Sequence, residues 1–147
     1  MRILAVDPGS ERIGLAISDE TGTIANPLTI FKHIQREKDA EVIASYANKY
    51  LVKTIIVGQS LNPDGKPNPS GRKSARLAEV LKNLVEIPVL LWDEYETTKI
   101  AQQALKEMKT KKKRYQSHVD DLAATVLLQS YLDTQKSNDS PGEVLSE

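Results

Sequence analysis

The stretch that most constrains the fold is the first twenty residues, Met-Arg-Ile-Leu-Ala-Val-Asp-Pro-Gly-Ser-Glu-Arg-Ile-Gly-Leu-Ala-Ile-Ser-Asp-Glu. An unbroken apolar run, Ile3 to Val6, ends in Asp7, and the breakers Pro8 and Gly9 turn the chain before a second apolar segment, Ile13 to Ile17. This pattern predicts a strand, a tight turn and a strand. The first run is too short and too uniformly apolar for a half-exposed strand, so it belongs in the middle of a sheet with both faces covered. Asp7 then stands at its mouth, where a partly dehydrated carboxylate requires a metal ion, a cation or hydrogen-bond donors. These residues leave a second reading open, in which Asp7 only shapes the Asp-Pro-Gly turn.

Downstream, Asp19-Glu20-Thr21-Gly22 signals a turn and Thr23 to Ile30 a third strand, kept at the sheet edge by Pro27. The polar stretch Lys32 to Asp39 leads into a helix with Ala40, Ile43, Ala44 and Ala47 at helical spacing. From Thr54 onward short apolar strands (Thr54 to Val57, Val89 to Trp92) alternate with helical stripes (Arg72 to Val85, Thr97 to about Met108), which predicts parallel pairing with crossover helices. A last helix opens near Ser117 to Asp121 and ends near Leu132. The division expected is a domain over residues 1–132 and a polar, disordered tail over 133–147. Gln59 to Gly71, with three prolines and two glycines, is long for a connection; it reads either as a linker or as a substrate-facing loop.

The 147 residues suffice for one core without staples. The absence of cysteine excludes disulfides, thiolate zinc sites and a thiol nucleophile, and two histidines, His33 and His118, cannot build a histidine-rich metal site. Lys+Arg and Asp+Glu are both 20, yet the charge is polarised: Lys99 to Arg114 hold seven cations and one anion, Asp133 to Glu147 one cation and four anions. No apolar run approaches the roughly 20 residues of a membrane span, so a soluble, cytoplasmic protein without membrane contact is expected.

Three acidic positions can meet: Asp7, Asp93 or Glu94 after the fifth strand, and Asp120 or Asp121 at the start of the last helix. Parallel strands bring the first two to the crevice where open α/β sheets place ligands. Converging carboxylates need a divalent cation between them, and an oxygen-only donor set suits Mg²⁺ or Mn²⁺. Helix capping is the alternative role of Asp120 and Asp121. The basic run Lys111, Lys112, Lys113 and Arg114 beside Tyr115 reads as a phosphate-backbone contact or as a solvated loop. His118 is an ordinary loop histidine unless it assists proton transfer. A Gly-x-Ser-x-Gly elbow is absent, which argues against a serine hydrolase.

Four ordered motifs over about residues 2 to 132 resemble the YqgF family: Asp7-Pro-Gly-Ser-Glu-Arg-Ile-Gly-Leu-Ala-Ile-Ser-Asp19; Ile55-Ile-Val-Gly58 with Leu61-Asn62 and Asp64-Gly65; Asp93-Glu94 followed by Thr97-Thr98; and Val119-Asp120-Asp-Leu-Ala-Ala-Thr-Val-Leu-Leu-Gln-Ser-Tyr-Leu132. The resemblance implies an RNase H-like three-layer α/β fold: a five-stranded mixed sheet, three antiparallel N-terminal strands and then parallel ones, flanked by helices. It implies a metal-dependent nuclease processing the precursor of 16S rRNA in ribosome biogenesis, and the family is also described as a Holliday junction resolvase homologue. Asp7, Glu94 and Asp120 become the catalytic, metal-binding acids with Mg²⁺ or Mn²⁺, with Asp93 next in line; Asp121, from the residues alone, is the other secondary candidate. Lys111 to Arg114, with Asn62 of the long loop and Arg72 just after it, become the nucleic-acid contacts. The expected partner is structured RNA or branched DNA, bound by a monomer or homodimer.

The chain departs from the family pattern at Gln59-Ser60, where Leu-Pro is common, at Tyr95, where arginine is common, and at Asp121, an additional acid. Two other classes compete: a non-catalytic nucleic-acid-binding ribosome-assembly factor, and a sugar-kinase or actin-like ATPase. The latter needs a second domain for which 147 residues leave no room.

Overall fold

The computed structural model describes residues 1–93 and 122–138, with side chains to residue 136. The elements are β1 (Ile3–Pro8), β2 (Arg12–Ser18), β3 (Ala25–Lys32), α1 (Arg36–Lys49), β4 (Thr54–Gln59), α2 (Pro69–Leu84), β5 (Val89–Asp93) and α3 (Ala123–Asn138). They form one five-stranded sheet in the order β3-β2-β1-β4-β5. β1, β2 and β3 pair antiparallel, while β4 pairs parallel to β1 and β5 parallel to β4. The expected mixed sheet is present, and Pro27 lies in the edge strand β3.

β1 is the central strand, and Leu4, Ala5 and Val6 are fully buried. Its period-two alternation divides the core. Leu4 and Val6 pack with Ile43 of α1 and Leu77 and Leu81 of α2. Ile3 and Ala5 pack with Leu127, Leu128 and Tyr131 of α3. The result is a three-layer α/β/α arrangement.

All three described helices differ in extent from their apolar pattern. α1 begins at Arg36, because the polar Glu37 and Asp39 are its dipole-complementing first turn. α2 begins at Pro69 rather than Arg72: Asn68 caps it through Gly71 N–H, and proline is well suited to the first helical position. α3 continues past Leu132 to Asn138, crossing the boundary at which a disordered tail was expected to begin. This extension is polar, held by Gln129 Nε2 to Asp133 Oδ1 (3.0 Å) and Thr134 Oγ1 to the Ser130 carbonyl (3.0 Å). Apolar periodicity reports only the buried part of a helix, and no helix breaker occurs before Pro141. The helix expected over 97–108 lies outside the described residues. Among the described residues no helix is long and apolar enough to cross a membrane.

At the sheet end remote from Asp7, Asp19 organises the β2–β3 turn. Its carboxylate accepts from Ile24 N–H (3.0 Å), the Thr21 hydroxyl and Thr23 N–H (2.8 Å), and Gly22 supplies a φ of 71°. These bonds, the one from Ile24 foremost, lower its pKa from 3.8 to about 2. A depressed acid pKa stabilises the fold above the unfolded value and loses that effect as pH falls through the folded one. The stability gap between wild type and Asp19→Ala, read from denaturant midpoints, should therefore narrow between pH 4 and 2.

Candidate active site

Asp7 follows Val6 at the end of β1 and pairs with Gly14 of β2. Alternation places Asp7 with Ile3 and Ala5 on the face covered by α3. α3 packs close to that corner: a Cβ on Gly14 would lie at ordinary contact distance, 3.5 Å from Ala124 Cβ and 4.0 Å from Asp7 Cβ. The first turn of α3 thus sits directly over the Asp7–Gly14 pair. Together they border a pocket of about 300 Å³, lined also by Ser10, Glu11 and Arg12. Its described lining offers carboxylate and hydroxyl oxygens with no sulfur or imidazole, the donor chemistry that suits a hard cation.

The turn behind Asp7 depends on Gly9, whose N–H donates to the Arg12 carbonyl at 2.9 Å. A Cβ on Gly9 would overlap that same backbone oxygen. Gly9→Ala is expected to destabilise the fold by about 1–3 kcal/mol, as overpacking against unyielding atoms does. Chemical unfolding measures this, and an unchanged midpoint would contradict the close approach.

β1, β4 and β5 run parallel, so Asp7, Gln59 and Asp93 come to the same edge of the sheet. The spacing of two strands separates β1 from β5, about 9.5 Å. The segment after β4 shares this edge and forms a small ordered hairpin: Leu61 bridges Pro67, Asn62 N–H donates to the Lys66 carbonyl (2.7 Å), and Gly65 turns the chain at φ 85°. Asn68 Nδ2 donates to Ser60 Oγ (2.6 Å), and Gln59 Nε2 donates to the Gly71 carbonyl (3.2 Å). Gln59 and Ser60, which depart from the resembled pattern, are thus the residues that staple this hairpin to α2. Asn62 lies exposed at its tip, and the exposed Arg72 donates from Nη1 to the Pro67 carbonyl (3.1 Å).

On the opposite face of the sheet is a pair that sequence reasoning missed. Asp39, 2% exposed, is bonded through Oδ2 to His33 Nδ1 and accepts from Ile34 N–H at 3.1 Å. The signal available was an acid in the first turn of a helix six residues from one of two histidines; it reads equally as dipole complementation.

The family model of RuvX, described as Holliday junction resolvase, matches residues 1–134. The chain belongs to the RuvX family. This agrees with the motif resemblance to YqgF. A relative from Thermoanaerobacter pseudethanolicus, named "Putative pre-16S rRNA nuclease", is 45% identical over 141 residues, covering 93% of this chain and 99% of its own. Another of that name, from Clostridium botulinum, is 36% identical over 133 residues, covering 90% and 97%. RuvX membership makes the chain a nuclease, a phosphodiester hydrolase. Among solved structures, T. thermophilus RuvC in complex with a Holliday junction substrate aligns with a TM-score of 0.61 at 13% identity, over 93% of this chain and 97% of that one. The fowlpox virus Holliday junction resolvase aligns with a TM-score of 0.55 at 15% identity, over 91% and 99%. At such identities the likeness establishes the fold, which is RNase H-like.

Of the acids expected in this RuvX chain, Asp7 and Asp93 lie at the shared sheet edge. Glu94, Asp120 and Asp121 lie outside the described residues, as do Tyr95, Lys111 to Arg114 and His118. Among the described residues no group of three or more His, Cys, Asp or Glu could hold a metal ion.

Proposed function

We propose that this chain is a divalent-metal-dependent nuclease acting on structured RNA in the cytoplasm, in maturation of the 16S rRNA precursor, with Asp7, Glu94 and Asp120 as its acidic set. The observation that carries this reading is the position of Asp7, at the mouth of the central strand and beneath the first turn of α3. Glu94 and Asp120 enter this reading through their place in the family motifs. The ligand set is completed only by these two, since the described residues contribute Asp7 alone from the three.

Bound Mg²⁺ or Mn²⁺ supplies Lewis-acid stabilisation of charge on the scissile phosphate. The chain's own residues bind and orient. Arg12, on the wall of the Asp7 pocket, can receive a phosphodiester through two parallel N–H bonds. Lys111 to Arg114, Asn62 and Arg72 are the further strand contacts in this reading, with Asp93 and Asp121 as auxiliary acids. The family description and the RuvC-like fold favour one second reading, resolution of four-way DNA junctions. That activity requires a two-fold dimer, because two symmetric strands are cut.

Metal-dependent cleavage of precursor rRNA fragments, RNA stem-loops and four-way DNA junctions separates the two. Preferential cutting of the rRNA precursor is the expected result, and preferential symmetric junction cutting selects the resolvase. No cleavage of any substrate overturns the nuclease reading.

A further inference from the structure

On the face of the sheet opposite Asp7 lies a cleft of about 480 Å³, between the β1–β2 turn and the starts of α1 and α2. Ser10 of the β1–β2 turn borders both this cleft and the Asp7 pocket. The cleft is within the size range of small-molecule sites, about 300–1,000 Å³. Its exposed apolar surface comes chiefly from Ile34, which is 73% exposed; Ile13 and Leu77 border it from the core, at 2% and 5%. Its charged lining consists of His33, Arg36, Asp39 and Lys73.

Asp39 is buried and engaged by His33 and Ile34 N–H, so the charge presented to a ligand is that of Arg36 and Lys73. The same bonds fix the imidazole: Nδ1 is committed to Asp39, while the His33 side chain remains 40% exposed. A rigid imidazole, an exposed apolar side chain and two cations, Arg36 and Lys73, match the parts of a nucleotide. Unpaired bases stack on His and Arg planes, and phosphates take charge-assisted bonds from Arg and Lys. A peptide or lipid carboxylate would use the cations but gains nothing from the fixed imidazole.

We propose that this cleft seats one unpaired nucleotide of the substrate strand, its base against Ile34 and His33 and its phosphate held by Arg36 and Lys73. The strand would pass around the β1–β2 turn between the cleft and Asp7. The proposal rests on the nuclease reading, and a free mononucleotide is the other source of the same chemistry.

The test is fluorescence anisotropy of a labelled single-stranded RNA with the full chain, in chelator so that nothing is cut, across a salt series. The double variant Arg36→Ala/Lys73→Ala should bind at least about 10-fold more weakly, with the salt slope reduced by about 0.7, the value for one neutralised phosphate of a single strand. His33→Gln, which keeps a donor for Asp39, should lose about 5-fold or more at unchanged slope, since stacking carries no counterion release. Lys82→Ala, at the far end of α2, should match wild type in affinity. Binding of 5′-AMP should be at least about 100-fold weaker than that of the RNA. Unchanged affinity and slope in the double variant overturns the proposal, as does 5′-AMP binding as tightly as the strand. An unchanged unfolding midpoint excludes misfolding of the variants. Cleavage by the Asp7→Asn protein is scored separately, so failure of the nuclease reading is distinguishable from failure of the cleft.

Discussion

Asp7→Asn protein is expected to cleave at least about 100-fold more slowly than wild type while binding substrate as tightly. The size follows from what lesser changes do: loss of an outer-shell partner already costs about 10–100-fold in metal affinity or activity, and a direct ligand should cost no less. The substitution is nearly isosteric, so the corner formed by Asp7, Gly14 and Ala124 keeps its packing. The unfolding midpoint should stay close to that of wild type. The alternative role of Asp7, as a turn former, predicts the reverse: asparagine is as good an Asx-turn residue, so cleavage would survive. Single-turnover cleavage with thermal unfolding of the same samples decides between them. Wild-type cleavage rates in the variant would remove Asp7 from the site.

How much of this was legible in the sequence depends on which force set each feature. The buried strand β1 was readable because a core strand advertises itself as consecutive apolar residues, and Leu4, Ala5 and Val6 are fully buried. The edge position of β3 followed from the missing N–H of Pro27. Strand ends at Asp7 and Asp93 were readable for the same reason, since apolarity stops where the chain leaves the core. Polar structure was not. Asn68, Ser60 and Gln59 look like loop residues because the hydrogen bonds they make depend on partners up to twelve positions away. Asp39 reads as the end of a polar stretch before a helix, yet it is buried and bonded to His33, a pairing that periodicity does not encode. The last turns of α3 carry no apolar stripe to reveal them. The candidate site itself was half legible: candidate acids could be named from strand ends and motifs, whereas the placement of Ala123 and Ala124 of α3 beside Asp7 is a property of the packed chain.

Gly71→Ala should be among the most destabilising single substitutions outside the core, by about 2–4 kcal/mol, although alanine normally favours a helix. Gly71 is the third residue of α2; its N–H donates to Asn68 Oδ1 (2.8 Å) and its carbonyl accepts from Gln59. A Cβ at this position would overlap the Ser60 carbonyl oxygen and approach Pro67 Cβ at 3.2 Å. The first obstacle is backbone, so no rotamer change relieves it. Either the first turn of α2 withdraws from the end of β4, or the Ser60 peptide turns and the Asn68–Ser60 bond is lost. Overpacking contributes about 1–3 kcal/mol and a compromised cap about 1 more. At about 2–4 °C per kcal/mol for a chain of this size, the unfolding midpoint should fall by roughly 10 °C. Gly65→Ala is the control: its φ of 85° strains any L side chain, but nothing lies within 4 Å of its Cβ, so about 1 kcal/mol is expected. Equal, small shifts for both variants would mean that α2 and the hairpin do not approach as closely as described. Because Ser70 and Lys73 of the same helix start line the cleft beside the β1–β2 turn, Gly71→Ala should also weaken RNA binding, whereas Gly65→Ala at the hairpin tip should leave it intact.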